Sequence, residues 1–195
     1  AFYTDQTTYG VSNWVNSGVG EEIASKESTI LLLARNRWKA YYIQIQNINR
    51  ILENADKLPS NNKQRVLGEA HFFRAYYYYM LMQRYGGVLL IDHNYDPLHS
   101  SERFPRAPYD EMVEFITREA DLAVEALALK NDNRNVGRIT KGAALMLKAK
   151  TYFWVGSPQF QNKSSELYGF TTDRSQEFMQ KAIETYKAID DLNQY

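Results

Sequence analysis

Apolar side chains recur at helical spacing in five stretches of this chain, and polar segments bearing glycine or proline separate those stretches. A spacing of three and four residues places such side chains on one face of an α-helix. The five predicted helices lie at Ile30–Asp56, Asn61–Gly86, Pro108–Leu127, Lys141–Val155 and from Asp173 onward. This order favours an all-α array with irregular loops between its helices, preceded by an irregular segment at residues 1–33.

The second predicted helix carries the strongest pattern. Its core spacing runs along Val66, Ala70, Phe73, Tyr77 and Leu81, and further aromatic residues occupy its other faces. A helix that is apolar all round is covered by neighbours on several sides, so we expect this helix to be the most buried of the five. The pair Gly86–Gly87 ends it in a left-handed turn, and a short extended stretch, Val88–Ile91, follows.

Several residues mark the predicted helix starts. Asn61 with Gln64 is a capping pair for the second helix, and Pro108 suits the first turn of the third. Thr140 is placed to cap the fourth helix, and Asp173 with Gln176 opens the fifth.

A short internal repeat supports the pairing of these helices. Four residues recur 74 positions later with the same spacing: Gly68, Ala70, Ala75 and Tyr78 return as Gly142, Ala144, Ala149 and Tyr152. Small residues let helices approach closely, and the aromatic ring fills the space beside them. The repeating unit resembles the helix–turn–helix of tetratricopeptide repeats, with longer helices and loops than their usual period.

The balanced charge argues against nucleic acid as the main partner, and the lack of cysteine excludes several kinds of site. Lys plus Arg and Asp plus Glu both number 23, so the net charge is zero, whereas nucleic-acid binders usually carry a basic excess. The absence of cysteine excludes disulfides, thiolate metal sites and cysteine nucleophiles. No apolar run approaches the roughly 20 residues of a membrane span.

The residues that usually carry catalysis do not converge in this sequence. His71 has no second ligand at metal-binding spacing, and His93 and His99 flank Asp96 in a loop without a fixed scaffold. No serine occupies a nucleophile elbow, and no glycine-rich loop opens a helix as in phosphate-binding proteins. We therefore expect binding without turnover, and neither a metal nor another cofactor. For Glu69 and Arg74, two interpretations stay open: local surface pairs, such as Arg65 with Glu69, or a hydrogen-bonded clamp between repeats.

Three residues near the start form a non-periodic cluster of aromatic rings and an amide, namely Tyr9, Asn13 and Trp14. Aromatic faces stack on the apolar surfaces of sugars, and an asparagine side chain both donates and accepts hydrogen bonds. The alternative is that Trp14 covers one end of the helical core.

The motifs of the helices resemble one known family. The stretch GEAHFFRAYYYYMLMQRYGGVLLI resembles the signature helix of the SusD/RagB family, with matches at Glu69, Ala70, Arg74, Ala75, Tyr76, Tyr77, Gly86, Gly87 and Val88. Leu89 stands where that family commonly has proline. Upstream, Trp38, Tyr42, Ile45 and Asn49 are similar to another family motif, and downstream GRITKGAALMLKAKTYFW resembles a third. The ordered motifs span residues 34–195.

The resemblance implies a fold, a location and partners. It implies tetratricopeptide-like helix pairs in a glycan-binding lipoprotein on the outer membrane of Bacteroidetes-type bacteria. Such a protein works with a SusC-like TonB-dependent transporter and touches the membrane only through a lipid anchor. Family members are usually more than twice this length and start with a signal and an acylated cysteine, so we expect a single SusD-like domain that is part of a longer protein.

Two functional hypotheses follow. In the first, Tyr9, Asn13 and Trp14 contribute to a glycan site, and the loops Asp92–Phe104 and Asn131–Gly137 contact the transporter. In the alternative, the chain is a helical-repeat scaffold that binds protein only.

Overall fold

The computed structural model describes residues 27–96 and 101–193, with side chains from Arg37 onward. Within these ranges there are five α-helices: α1 Glu27–Glu53, α2 Ser60–Tyr85, α3 Tyr109–Ala126, α4 Lys141–Val155 and α5 Ser175–Asp190. Short 3-10 turns occur at Ala55–Lys57 and Pro158–Phe160. The only β pairing in these ranges is an isolated antiparallel bridge between Leu89 and Arg106. The predicted all-α class is confirmed.

The helix boundaries depart from the predicted ones in small ways. α1 begins at Glu27, so the last residues of the segment predicted as irregular are helical. Thr140 caps α4 as predicted, because its side chain accepts a hydrogen bond from the Ala143 amide. The predicted cap at Asn61 is wrong: α2 begins one residue earlier, after Pro59, without a side-chain cap. Proline is compatible with this position because a helix start needs no hydrogen bond from its missing N–H.

The chain divides into two compact units, residues 1–42 and residues 43–195. In the described part of the first unit, the rings of Trp38 and Tyr42 lie one turn apart on α1 with their centroids separated by 5.0 Å. The second unit contains α2 to α5 and the last part of α1, and it forms the main helical core.

Consecutive helices of the second unit pack antiparallel. Gly68, early in α2, lies against Leu127 at the end of α3, whereas Tyr78, later in α2, packs on Phe115 near the start of α3. The two helices therefore run in opposite directions. The Lys148–Asp121 ion pair joins α4 to α3, and the rings of Tyr152 and Phe178 stack between α4 and α5. This is the helix-pair array that the sequence predicts.

The buried face of α2 is not the predicted one. Of the predicted core stripe, Ala70 and Leu81 are buried, but Phe73 is 39% exposed and Tyr77 is half-buried. The fully buried tyrosine is instead Tyr78, with no exposed surface. Since aromatic residues occur all around this helix, periodicity alone does not select the face that its neighbours cover.

The prediction that α2 is the most buried helix is also wrong. Nine of its 26 residues are buried, against nine of the 18 residues of α3. α3 lies between α2 and α4, so two helices cover it.

The repeated small residues occupy the helix contacts. The buried members are Gly68, Ala70, Ala75 and Tyr78 on α2, and Gly142, Ala144 and Ala149 on α4. A Cβ on Gly68 would lie only 2.8 Å from the Leu127 side chain, so any larger residue here would force that side chain to move. Tyr152, the partner of Tyr78 in the repeat, is half-buried. None of the helices in the described ranges is long and apolar enough to cross a membrane.

Candidate functional site

The three residues predicted to bind glycan, Tyr9, Asn13 and Trp14, lie outside the described residues, as does His99. The glycan site therefore stays a prediction. The other residues singled out in the sequence lie mainly on α2, at its C-terminal end, and on the elements packed against it.

The centre of this region is a buried ion pair between α2 and α3. Arg74 donates through Nε to Glu119 Oε2 at 2.7 Å and through Nη2 to Glu119 Oε1 at 2.8 Å. The two parallel bonds match the fork of the guanidinium to the carboxylate, which is the strongest geometry for such a pair. The two side chains are only 9% and 2% exposed. His71 Nδ1 adds a contact to Glu119 Oε2 at 2.9 Å.

Two opposing effects act on the pKa of Glu119. Burial raises this pKa because it disfavours the charged form, but the hydrogen bonds from His71 and Arg74 favour the carboxylate. The net result is a pKa below the ordinary glutamate value. Glu119 is therefore an ionised group inside the core.

The same network fixes the backbone that follows α2. Arg74 Nη1 donates to the Asn49 side chain and to the Asp92 carbonyl, both at 3.0 Å. Asn49 Nδ2 in turn donates to the carbonyls of Ile91 at 2.9 Å and His93 at 2.8 Å. The Tyr78 hydroxyl accepts from the Ile91 amide at 2.7 Å and donates to its carbonyl at 3.1 Å. Side chains of α1 and α2 thus satisfy the backbone groups of a partly buried irregular stretch.

The chain between α2 and α3, here called the arm, consists of residues 86–96 and 101–108 in the described part. Its base depends on two glycines. Gly86 has a positive φ of 71°, and a Cβ there would lie 2.2 Å from the Leu167 carbonyl oxygen. A Cβ on Gly87 would lie 2.1 Å from the Ala107 carbonyl oxygen. The base is closed by Arg106, whose guanidinium donates to the carbonyls of Gly87 and Tyr85 at 2.7 and 2.6 Å.

Farther out, side chains join the two limbs of the arm. His93 contacts Asp92 through Nδ1 at 3.1 Å and Glu102 through Nε2 at 3.0 Å. The rings of Tyr95 and Phe104 meet edge to face with centroids 5.0 Å apart. Gln46 of α1 bonds to the Tyr95 carbonyl. In the described residues, the two limbs of the arm thus contact each other, and the first limb also contacts α1.

Both interpretations of Glu69 hold in the structure. Arg65 lies 3.6 Å from Glu69 on the same helix, which is the local pair. Arg138 also contacts both carboxylate oxygens of Glu69 at 3.0 Å, and this links α2 to the loop before α4. For Arg74, the second interpretation is the correct one, because this residue forms a hydrogen-bonded clamp between α2 and α3.

Shallow pockets flank these loops. One, of about 250 Å³, lies beside the arm and is lined by Leu90, Asp92, Glu111, Glu114, Phe115 and Arg118. Another, of about 290 Å³, lies in the Leu129–Thr140 loop and includes Val136, which is 78% exposed. Their carboxylates, guanidinium groups and backbone amides are suited to hydrogen bonding with polar groups of a ligand or partner.

Sequence reasoning missed Glu119, the partner of Arg74. A signal was present, since Glu119 lies three residues after Ile116 and four before Ala123, both at core positions of α3. A carboxylate on the buried face of a helix requires a cationic or hydrogen-bonding partner. Arg74, among the aromatics of α2, is the corresponding group.

Comparisons with known proteins agree with this arrangement of α2, its paired glycines and the elements packed against it. A SusD-like family model, described as "starch-binding associating with outer membrane", matches residues 3–153. The chain belongs to the SusD-like family. The matched range includes the family-signature residues of α2 and its C-terminal end: Glu69, Arg74, Tyr77, Gly86 and Gly87. A search of curated proteins found no match.

Solved structures of SusD-like proteins share the fold. A SusD-like protein from Bacteroides fragilis has 29% sequence identity and a TM-score of 0.62, over 79% of this chain and 27% of its own. A laminarin-binding SusD-like protein has 23% identity and a TM-score of 0.58, over 63% of this chain and 27% of its own. Surface glycan-binding protein A from Bacteroides uniformis has 21% identity and a TM-score of 0.60, over 80% of this chain and 31% of its own. The chain therefore spans less than a third of the length of these SusD-like structures.

Proposed function

We propose that this chain is part of a cell-surface protein that binds oligosaccharide and delivers it to a SusC-like TonB-dependent transporter in the outer membrane. The observation that carries the proposal is the SusD-like family match over residues 3–153, whose description includes both starch binding and the outer membrane. The laminarin-binding and surface glycan-binding structural neighbours support the carbohydrate ligand. The proposed activity is binding without turnover.

For the ligand site, the proposal places Trp14 against a sugar face, with Asn13 and Tyr9 beside it. In the protein that contains this chain, Trp14→Ala should weaken oligosaccharide affinity about tenfold, which corresponds to about 1.4 kcal/mol for loss of the ring. Calorimetry with laminari- and malto-oligosaccharides measures the change. Tyr168→Ala, which removes a ring that is 59% exposed in another loop, should leave the affinity unchanged.

The outcomes separate ligand binding from a structural role. Unchanged affinity in a folded Trp14→Ala variant would show that the ring only covers the core. If the folded parent protein binds none of a broad glycan panel, the helical-repeat scaffold that binds protein only becomes the better account.

For the partner, the proposal places the loops Asp92–Phe104 and Asn131–Gly137 on the transporter, the first of which is the outer part of the arm. The Asn131–Gly137 loop has a defined shape, because Asp132 Oδ1 accepts from the amides of Arg134 and Asn135, both at 3.0 Å. Its exposed Val136 and the exposed Arg103 of the arm are groups that a partner would cover. Rigid surfaces of this kind are typical of protein binding by helical repeats.

Val136→Asp with Arg103→Glu should therefore reduce recovery of a large β-barrel that co-purifies with the protein from detergent-solubilised outer membranes. Both side chains are exposed, so the fold should persist. Gln180→Ala with Glu184→Ala, on the exposed face of α5, is the matched control and should leave recovery unchanged. Equal recovery of the barrel with all variants would remove these two loops from the proposed interface.

A further inference from the structure

The two limbs of the arm are joined at two levels. At the base, the Ala107 amide donates to the Val88 carbonyl at 2.8 Å, and Arg106 binds the carbonyls at the end of α2. At the outer level, His93 on the first limb meets Glu102 on the second, and the Phe104 ring lies beside the imidazole with centroids 5.7 Å apart. The outer level contains a group that titrates near neutral pH.

The two carboxylates around His93 impose a requirement on the imidazole. Both ring nitrogens face a carboxylate oxygen, Asp92 at 3.1 Å and Glu102 at 3.0 Å. An imidazolium donates from both nitrogens, whereas neutral imidazole donates from one and presents a lone pair on the other. Neutral His93 can therefore donate a hydrogen bond to only one of the two carboxylates. The lone pair of its other nitrogen then faces the oxygen of the second carboxylate, and two acceptors repel each other.

We propose that His93 is a pH-responsive tie between the two limbs of the arm, closed as imidazolium and weakened when the ring loses its proton. The proposal concerns the order of the arm and does not depend on the proposed glycan or transporter function. Only the backbone carbonyl of His93 belongs to the Arg74–Glu119 network, so the proposal assigns a separate role to the His93 side chain.

The charges around His93 favour the protonated ring. Carboxylates predominate: they are Asp92 and Glu102 in the arm, Glu53 of α1, which accepts from the Asn94 amide, and Glu111 and Glu114 of α3 in the pocket that Asp92 also lines. The nearest cations given by contacts or sequence are three: Arg74 donates to the Asp92 carbonyl and is already paired with Glu119, Arg118 lines the same pocket as Asp92, and Arg103 follows Glu102 in the sequence.

These contacts set the direction of the titration. The hydrogen bonds to Asp92 and then Glu102 raise the pKa of His93 above the ordinary histidine value, and His93 is the main cause of the lowered pKa of Asp92. A raised folded-state pKa means that the stabilisation is fully present below the unfolded value of about 6.5 and is lost as pH rises through the folded value. The arm should be more ordered in acid than in alkali.

Amide hydrogen exchange by NMR tests the tie. After correction for the intrinsic pH dependence of exchange, amides of residues 93–95 and 102–104 should be about two- to fivefold better protected at pH 5.5 than at pH 8.5, since exposed pairs contribute little energy. The glutamine in His93→Gln keeps a hydrogen-bond donor but does not titrate. In this variant, the ratio of protection at pH 5.5 to protection at pH 8.5 should fall to the ratio for the α4 amides Ala144–Thr151. Glu102→Gln should lower the pKa of His93 in its own NMR titration.

Two results would overturn the proposal. One is equal corrected protection at the two pH values in the unmodified protein. The other is the same pH dependence in His93→Gln as in the unmodified protein, which would assign the effect to other groups. Neither result would bear on glycan binding, which is measured separately.

Discussion

Glu119→Ala should lower the free energy of unfolding by about 3–5 kcal/mol, because it leaves the Arg74 guanidinium buried without its counter-charge. Arg74 is only 9% exposed, and it would retain only Asn49 and the Asp92 carbonyl as acceptors. Urea unfolding followed by circular dichroism measures the shift in midpoint. The matched control is Glu69→Ala on α2. This variant breaks pairs with Arg65 and with the 46% exposed Arg138, both partly exposed, and should cost about 1 kcal/mol or less.

The double variant Arg74→Met with Glu119→Leu should recover part of the loss, because it removes both charges and fills the space with apolar atoms. Full recovery is not expected, since Arg74 also binds the arm backbone. If Glu119→Ala costs no more than Glu69→Ala, the buried pair does not have the stabilising role assigned to it.

The same pair predicts acid sensitivity. The folded-state pKa of Glu119 is lowered, so its stabilising contribution is present above the ordinary glutamate value of 4.5 and is lost as pH falls through the folded value. In Glu119→Gln this part of the pH dependence should disappear. Denaturant titrations between neutral pH and pH 3 provide the comparison.

Gly86→Ala should lower the free energy of unfolding by about 2–6 kcal/mol, the sum of a positive-φ penalty and a steric clash. The new Cβ would lie 2.2 Å from the Leu167 carbonyl oxygen, and a backbone atom in a packed loop cannot move aside as a flexible side chain does. Relief requires the base of the arm to separate from the Glu166–Leu167 segment. Thermal and urea unfolding measure the cost.

Gly137→Ala is the control, because Gly137 also has a positive φ, of 87°, but the added Cβ would meet no atom within 4 Å beyond its two neighbouring residues. It should cost only the conformational penalty, about 1–3 kcal/mol. The difference between the two variants isolates the close approach at Gly86. Equal costs would show that the clash at Gly86 is relieved without loss of packing.

Much of the fold was predictable, since the five helices follow from local periodicity and from caps such as Thr140. The face of α2 was not, because Phe73, Tyr77 and Tyr78 are equally suited to a core by composition. Tyr78 is distinguished by partners elsewhere in the chain, namely the Phe115 ring of α3 and the Ile91 backbone. Burial of a given aromatic residue is a property of the partner helix and cannot be obtained from its own segment.

The candidate site was likewise predictable only in part from the sequence. Gly86, Gly87 and Arg74 were found from sequence, whereas the carbonyls that crowd the glycines come from residues 107 and 167, far along the chain. Such tertiary approaches leave no periodic signal in the sequence. Tyr9, Asn13 and Trp14 lie outside the described residues, so the glycan site rests on sequence reasoning and on the family.

The Arg74–Glu119 pair also constrains the order in which the protein is made. During synthesis Arg74 leaves the ribosome 45 residues before Glu119, and until then its guanidinium has no carboxylate with which to be buried. The aromatic residues beside it, including Phe72 and Tyr78, stay uncovered over the same interval. Exposed apolar surface of this kind is prone to aggregation and is recognised by chaperones. This surface should therefore depend on a holding factor until α3 is present to cover it.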